Sequence, residues 1–169
     1  MFEGAVVVMG VTSCGKTTVG EALATALHAE VFIEGDKLHP PANIAKMSAG
    51  IPLTDDDRWP WLTRIGNELA GTGCKVASCS ALKRAYRERI TIAASRPVAF
   101  IFLSGSRELL AERIAARKGH FMPPSLLDSQ LATLEIPAPD ELAVTIDIAL
   151  PVAEQVARAA QFLARLKKA

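Results

Sequence analysis

Cysteine is scarce in this chain: Cys14, Cys74 and Cys79 are the only three in 169 residues. An odd set without paired metal-ligand spacing excludes a disulfide scaffold and argues for reduced thiols in a cytosolic protein. Excess charge of one sign is missing too, since 19 basic and 18 acidic side chains leave a net +1. With no basic block, neither nucleic acid nor an anionic membrane is expected as a partner. Long hydrophobic runs are absent. The apolar opening "MFEGAVVVMGV" is too short for a membrane span and has no basic leader, so it is expected to be a buried strand. There is no internal repeat, low-complexity stretch or linker, so a single domain over residues 1–169 is expected. What is present, 50% hydrophobic and 22% charged residues, suits a folded globular chain.

Short β-branched runs alternate with segments of helical period, the pattern of a parallel sheet covered by helices. Strands are expected at 5–9, 31–34, 75–79, 98–103 and 144–149. Helices are expected near 15–28, 41–49, 57–71, 81–94, 106–118, 124–133 and 152–167. The fold class is therefore α/β, with a five-stranded parallel sheet. Pro60 is expected to delay the third helix, with Asp57 as its N-cap, because proline belongs in a first turn. Two Pro-, Gly- and charge-rich stretches, 50–61 and 117–125, are candidates for functional loops at one end of the sheet.

The first strand runs into "GVTSCGKTT", residues 10–18, which satisfies G-x-x-x-x-G-K-[ST] and opens a helix. In that context Gly10, Val11, Thr12, Ser13, Cys14, Gly15, Lys16, Thr17 and Thr18 form a triphosphate cradle. Backbone N–H groups and the helix N-terminus face the β-phosphate, and Lys16 adds a point charge across the β and γ oxygens. The Thr17 hydroxyl is placed to ligate Mg²⁺. Cys14 would put a thiol beside the phosphates, where oxidation or alkylation could affect activity.

The trade served by this cradle follows first from exclusions. No D-x-x-G or [NT]-K-x-D motif occurs, which removes a GTPase switch; a motor or helicase would usually need more chain, and neither the third nor the fourth strand ends in an apolar run followed by Asp. A small phosphotransferase using MgATP remains. Its acceptor chemistry is sought in "FIEGDKLHP", where Glu34 and Asp36 are expected on one strand face at the carboxyl end of the sheet. One carboxylate would hold a metal-bound water while the other accepts a hydroxyl proton. Asp147, in "AVTIDIA", is a rival metal partner that reads better as structural.

Taken in order, "GVTSCGKTT", "EGDKLHPPANIAKMSAGIPLTDDDRWPWL", "CSALKRAYRERI" and "RKGHFMPPSLLDSQLATLE" make the chain resemble the gluconokinases, within the nucleoside-monophosphate-kinase-like phosphate-loop enzymes. The resemblance spans about residues 5–150. It implies a three-layer α/β/α fold with a mobile lid near 118–133, transfer of the ATP γ-phosphate to the 6-hydroxyl of D-gluconate, and a homodimer in the cytoplasm. Two departures stand out. Ser13 occupies a position where the family often has glycine, so its Cβ is expected to meet glycine-like backbone angles at some strain, and Glu34 stands where some relatives carry Asp.

Gluconate is an anionic polyol and needs a cation for its carboxylate. Arg58, after three aspartates, suits that part because guanidinium pairs bidentately with carboxylate. Asp55 and Asp56 read as helix-dipole residues. In "CSALKRAYR", Ser80 is expected as an N-cap with Lys83 and Arg87 on one helical face as further substrate contacts. Tyr86 reads as packing and Cys79 as a small buried hydrophobe, while His39 reads equally as a neutral partner for a polyol hydroxyl and as a turn cap. By resemblance Arg113 faces adenine and Arg117 the transferring phosphate, while His120 and Gln130 reach toward substrate. A shikimate or nucleoside-monophosphate kinase and a non-catalytic nucleotide-binding regulator are the alternatives; "CSALK" in place of a glycine triplet speaks against shikimate.

Overall fold

The computed structural model describes residues 2–117 and 123–168. Its core is β1 (Ala5–Met9), whose five residues are all buried. β1 pairs in parallel with β3 (Lys75–Ser78) on one side and β4 (Val98–Ser104) on the other. β2 (Val31–Glu34) and β5 (Ala143–Asp147) form the edges, giving the order β2-β3-β1-β4-β5 with every pair parallel. Continuous apolar runs suit strands covered on both faces, and the covering helices follow each strand in sequence. The expected α/β sheet is the one observed.

Seven α-helices occur among the described residues: α1 (Lys16–Ala26), α2 (Pro41–Ser48), α3 (Asp55–Leu69), α4 (Arg84–Ala94), α5 (Arg107–Ala116), α6 (Pro124–Thr133) and α7 (Val152–Leu166). None is long and apolar enough to cross a membrane. Helix starts near the cleft correct two expectations. α3 begins at Asp55, capped by Thr54 rather than Asp57; Asp57 is the reciprocal member of a capping box with Thr54. The two capping hydrogen bonds outweigh the single helical bond that Pro60 removes from inside α3. α4 begins at Arg84, with Lys83 at its N-cap position, so Ser80 caps nothing. Ala81 adopts a φ of 45°, which delays the helix by a turn.

β2 ends at Glu34, and Gly35–Leu38 form a 3₁₀ turn. Glu34 and Asp36 therefore do not alternate along one strand. Gly35 is pressed so closely on the carbonyl of Ser78 that any Cβ would clash with it. That approach brings Asp36 and His39 over the end of β3.

Candidate active site

At the carboxyl end of the sheet lies a cleft of about 190 Å³, lined on one side by the phosphate loop and on the other by residues of α2, α3 and the 3₁₀ turn. The loop side is made mostly of backbone. Gly10 takes a φ of 146°, and a Cβ there would lie 2.7 Å from Cys14 Sγ. Ser13 adopts a left-handed φ of 64°, bearing out the strain expected where the family often has glycine. α1 has no side-chain cap and no acidic residue in its first turn. Its leading N–H groups and the positive end of its dipole are thus available to an anion. Lys16 Nζ donates to the Val11 carbonyl at 2.9 Å, folded along the loop it serves.

Thr12, Ser13, Gly15, Lys16, Thr17 and Thr18 line the cleft, whereas Val11 and Cys14 turn inward, 3% and 1% exposed. The expectation of a thiol facing the phosphates is corrected: Cys14 Sγ is packed beneath the loop. Cys79 is buried as expected, and burial pushes its thiol up to about 12.

Sheet register sets the candidate metal ligands. Glu34 pairs with Ser78 across β2 and β3, and Ser78 Oγ donates to Glu34 Oε1 at 2.7 Å. The other carboxylate oxygen accepts from Thr17 Oγ1, also at 2.7 Å. A hydroxyl and a carboxylate side by side at the foot of the phosphate loop are hard oxygen donors, a set that suits Mg²⁺ retaining several of its waters. Asp147 is not near them; it accepts from the Ala149 N–H at 2.8 Å and closes a turn after β5.

Across the cleft, Asp36, His39, Arg58 and Trp61 converge. Trp61 is fixed by its Nε1–H, which donates to the Gly35 carbonyl at 2.8 Å. His39 stacks on it with ring centroids 3.8 Å apart. Burial, outweighing the nearby Asp36 and reinforced by Arg58, lowers the His39 pKa to about 4, so the ring is neutral at physiological pH. Arg58 is 8% exposed and donates from Nη1 to the Tyr86 hydroxyl at 2.9 Å. That hydroxyl in turn donates to Asp55, which also pairs with Lys83 at 3.1 Å. Asp55 is thus more than a dipole residue, and its carboxyl is held down first by the Tyr86 hydrogen bond and then by Lys83.

Two of the expected substrate cations are placed differently. Lys83 precedes α4 and is tied to Asp55. Arg87, 2% exposed, points away from the cleft into the protein. It forms a two-pronged pair with Glu141, at 2.6 and 3.0 Å, and donates to the carbonyls of Ala81, Leu82 and Glu135. All its donors are used by the protein, so the reading of Arg87 as a substrate contact is corrected. Ser80, expected as a cap, lines the cleft instead.

α6 forms the remaining wall. Gln130 Oε1 accepts from the Thr12 N–H at 2.7 Å, and Arg117 Nη1 donates to Ser13 Oγ at 3.3 Å. Arg113 donates to the Ile148 carbonyl at 2.9 Å, beside α5 and outside the cleft lining. His120 lies outside the described residues. Residues that sequence reasoning did not place in the site are Trp61, Tyr86 and Asn43. Their partners come from elsewhere in the chain: the Gly35 carbonyl for Trp61, Arg58 and Asp55 of α3 for Tyr86, and the Asp57 carbonyl for Asn43.

No family model matches the chain. Among curated proteins it is 52% identical over 145 residues to a gluconokinase of Gluconobacter oxydans, covering 83% of this chain and 80% of that one. It is 46% identical over 149 residues to the thermosensitive gluconokinase of Escherichia coli, with 84% and 78% covered. The crystal structure of a gluconokinase from Sinorhizobium meliloti superposes with a TM-score of 0.89 at 57% identity, over 96% of this chain and 93% of that one. A shikimate kinase from Bacteroides thetaiotaomicron, at 16% identity and a TM-score of 0.65, shares the fold alone. With relatives this similar over four-fifths or more of its length, and with a phosphate loop facing Asp36, His39 and Arg58 across one cleft, the chain is a phosphate-loop kinase that belongs to the gluconokinase family.

Proposed function

We propose that this chain transfers the γ-phosphoryl group of ATP to the 6-hydroxyl of D-gluconate, yielding 6-phosphogluconate. The observation that carries the reading is a single cleft with an uncapped helix N-terminus and Lys16 on one wall and the buried guanidinium of Arg58 on the other. An anionic polyol placed between them would have its carboxylate at Arg58, with hydroxyls toward His39 and Asp36. Asp36 would orient the attacking hydroxyl and accept its proton as the phosphorus–oxygen bond forms. Lys16 and Arg117 would take up charge on the transferring group, and Arg113 would flank the adenine. Thr17 and Glu34 would hold Mg²⁺, directly and through water, and the ion would neutralise phosphate charge. Gln130 and α6 close the cleft over the loop, which would exclude water and limit wasteful hydrolysis of ATP. Positioning and electrostatics would supply most of the acceleration.

The three free, buried cysteines fit a reducing cytoplasmic setting; a homodimer is the assembly we propose with it, to be tested by sedimentation. The decisive assay offers MgATP with gluconate, shikimate or nucleoside monophosphates and takes Lys16→Ala as the control. Gluconate-dependent ADP release that the substitution abolishes is the expected outcome. Turnover confined to another acceptor would refute the assignment, and no turnover with any acceptor would favour a nucleotide-binding regulator.

A further inference from the structure

Asn43 and His39 form a buried side-chain pair at the edge of the cleft. Asn43 lies in α2 and is 3% exposed. Its Nδ2 donates to the main-chain oxygen of Asp57 at 2.9 Å. A carbonyl oxygen only accepts, so the amide orientation is set, with nitrogen rather than oxygen at that position. The same Nδ2 lies 3.2 Å from His39 Nδ1. Its second hydrogen therefore meets a ring nitrogen that must offer a lone pair, and the single proton of the neutral imidazole is left on Nε2. The ring has little freedom to turn, because it is stacked on Trp61 at an interplanar angle of 17°.

We propose that Asn43 is a positioning residue that locks His39 in the Nε2–H tautomer, so that the cleft offers a neutral, directed donor to a hydroxyl oxygen of the acceptor. The identity of that acceptor rests on the gluconate reading above; the lock itself does not. A proton added at Nδ1 would confront the Asn43 N–H. Of the charged groups facing the ring, Asp36 on the 3₁₀ turn favours protonation, while Arg58 on α3 opposes it together with burial. Asp57, on the far side of Asn43, is occupied by Lys46 at 2.7 Å. A neutral donor next to Arg58 serves a polyol well. It binds a hydroxyl without adding a second cation that would draw other anions into the site.

The test reads the ring nitrogens of the ¹⁵N-labelled chain by long-range ¹H–¹⁵N correlation, with His39 assigned by the signals lost in His39→Gln. At pH 7 the expected pattern is that of the Nε2–H tautomer, unchanged down to about pH 5 given the lowered His39 pKa. Asn43→Asp replaces the donor by an acceptor and should convert the ring to the Nδ1–H or charged form. It should also raise KM for gluconate about tenfold with KM for ATP unchanged, the size of one lost hydrogen bond. Gln carries an N–H near the Nε2 position and Asn near Nδ1, so His39→Gln should retain roughly tenfold more kcat/KM than His39→Asn. A wild-type ring in the Nδ1–H or charged form at pH 7 overturns the proposal. So does an Asn43→Asp chain with unchanged ring signals and unchanged KM for gluconate. An Nε2–H ring in a chain that turns over no gluconate supports the lock and refutes the gluconate reading instead.

Discussion

Arg58 and Arg87 are both buried, at 8% and 2% exposure, and sit on helices that pack against each other. Arg87 is neutralised by Glu141 through two hydrogen bonds along one edge and saturated by three carbonyls. Arg58 bonds only a tyrosine hydroxyl, has no salt bridge among the described residues, and borders a cleft. Burial alone does not distinguish structural from functional charge. Whether the protein itself supplies the counter-charge does, because a buried cation lacking one is a receptor for an anion. Asp55 stands one hydroxyl away from Arg58, close enough to orient it through Tyr86 without closing its fork.

Substitutions can break this contrast. Arg87→Met should show the largest effect, about 3–5 kcal/mol of lost stability in urea unfolding, because it takes the cation from Glu141 and the donors from the carbonyls of Ala81, Leu82 and Glu135. KM for gluconate of the folded fraction should not change, and adding Glu141→Leu should restore only a part of the stability, because the carbonyls that Arg87 served stay without a donor. Arg58→Met should do the reverse: a fall of about 100-fold in kcat/KM for gluconate, the value of a charge-assisted bidentate contact, with little change in the unfolding midpoint. A chain that unfolds on losing Arg58, or loses gluconate affinity on losing Arg87, would erase the distinction. Tyr86→Phe should raise KM for gluconate about threefold to tenfold by freeing the guanidinium while leaving KM for ATP alone.

The gentlest effect concerns pH. The His39 pKa is about 4 when folded against an ordinary 6.5, so the unfolded chain takes up the proton first. Its contribution to stability is complete above pH 6.5 and is lost as pH falls from there toward 4. Urea midpoints measured between pH 7.5 and 5 should therefore decline less steeply in His39→Gln than in the wild type.

Local features were legible in the sequence. The phosphate loop is made by backbone and by consecutive residues, so "GVTSCGKTT" predicted the cradle, the helix after it and the strained Ser13. All five strands were located, because apolar runs bounded by turn residues leave few alternatives. The acceptor wall was legible in part: Asp36, His39 and Arg58 come together as expected. Arg87 was misread because its counter-charge, Glu141, is 54 residues away and leaves no local pattern. Lys83 was set on a helical face because nothing in "CSALK" announces the left-handed turn at Ala81. Asp57 looked like a cap until Thr54 was seen to share the capping box. Asn43 was missed although only four positions separate it from His39, because Pro40 and Pro41 between them hide the turn at the start of α2 that sets the pair together.

Cys14 has a practical consequence. Its sulfur lies beneath residues 10–15, 1% exposed, in a chain whose other thiols are buried as well. A reagent meets that sulfur only while the loop is off its folded course, so the labelling rate becomes a clock for excursions of the loop itself. Nucleotide bound to the backbone above should lengthen the interval between ticks without ever touching the thiol.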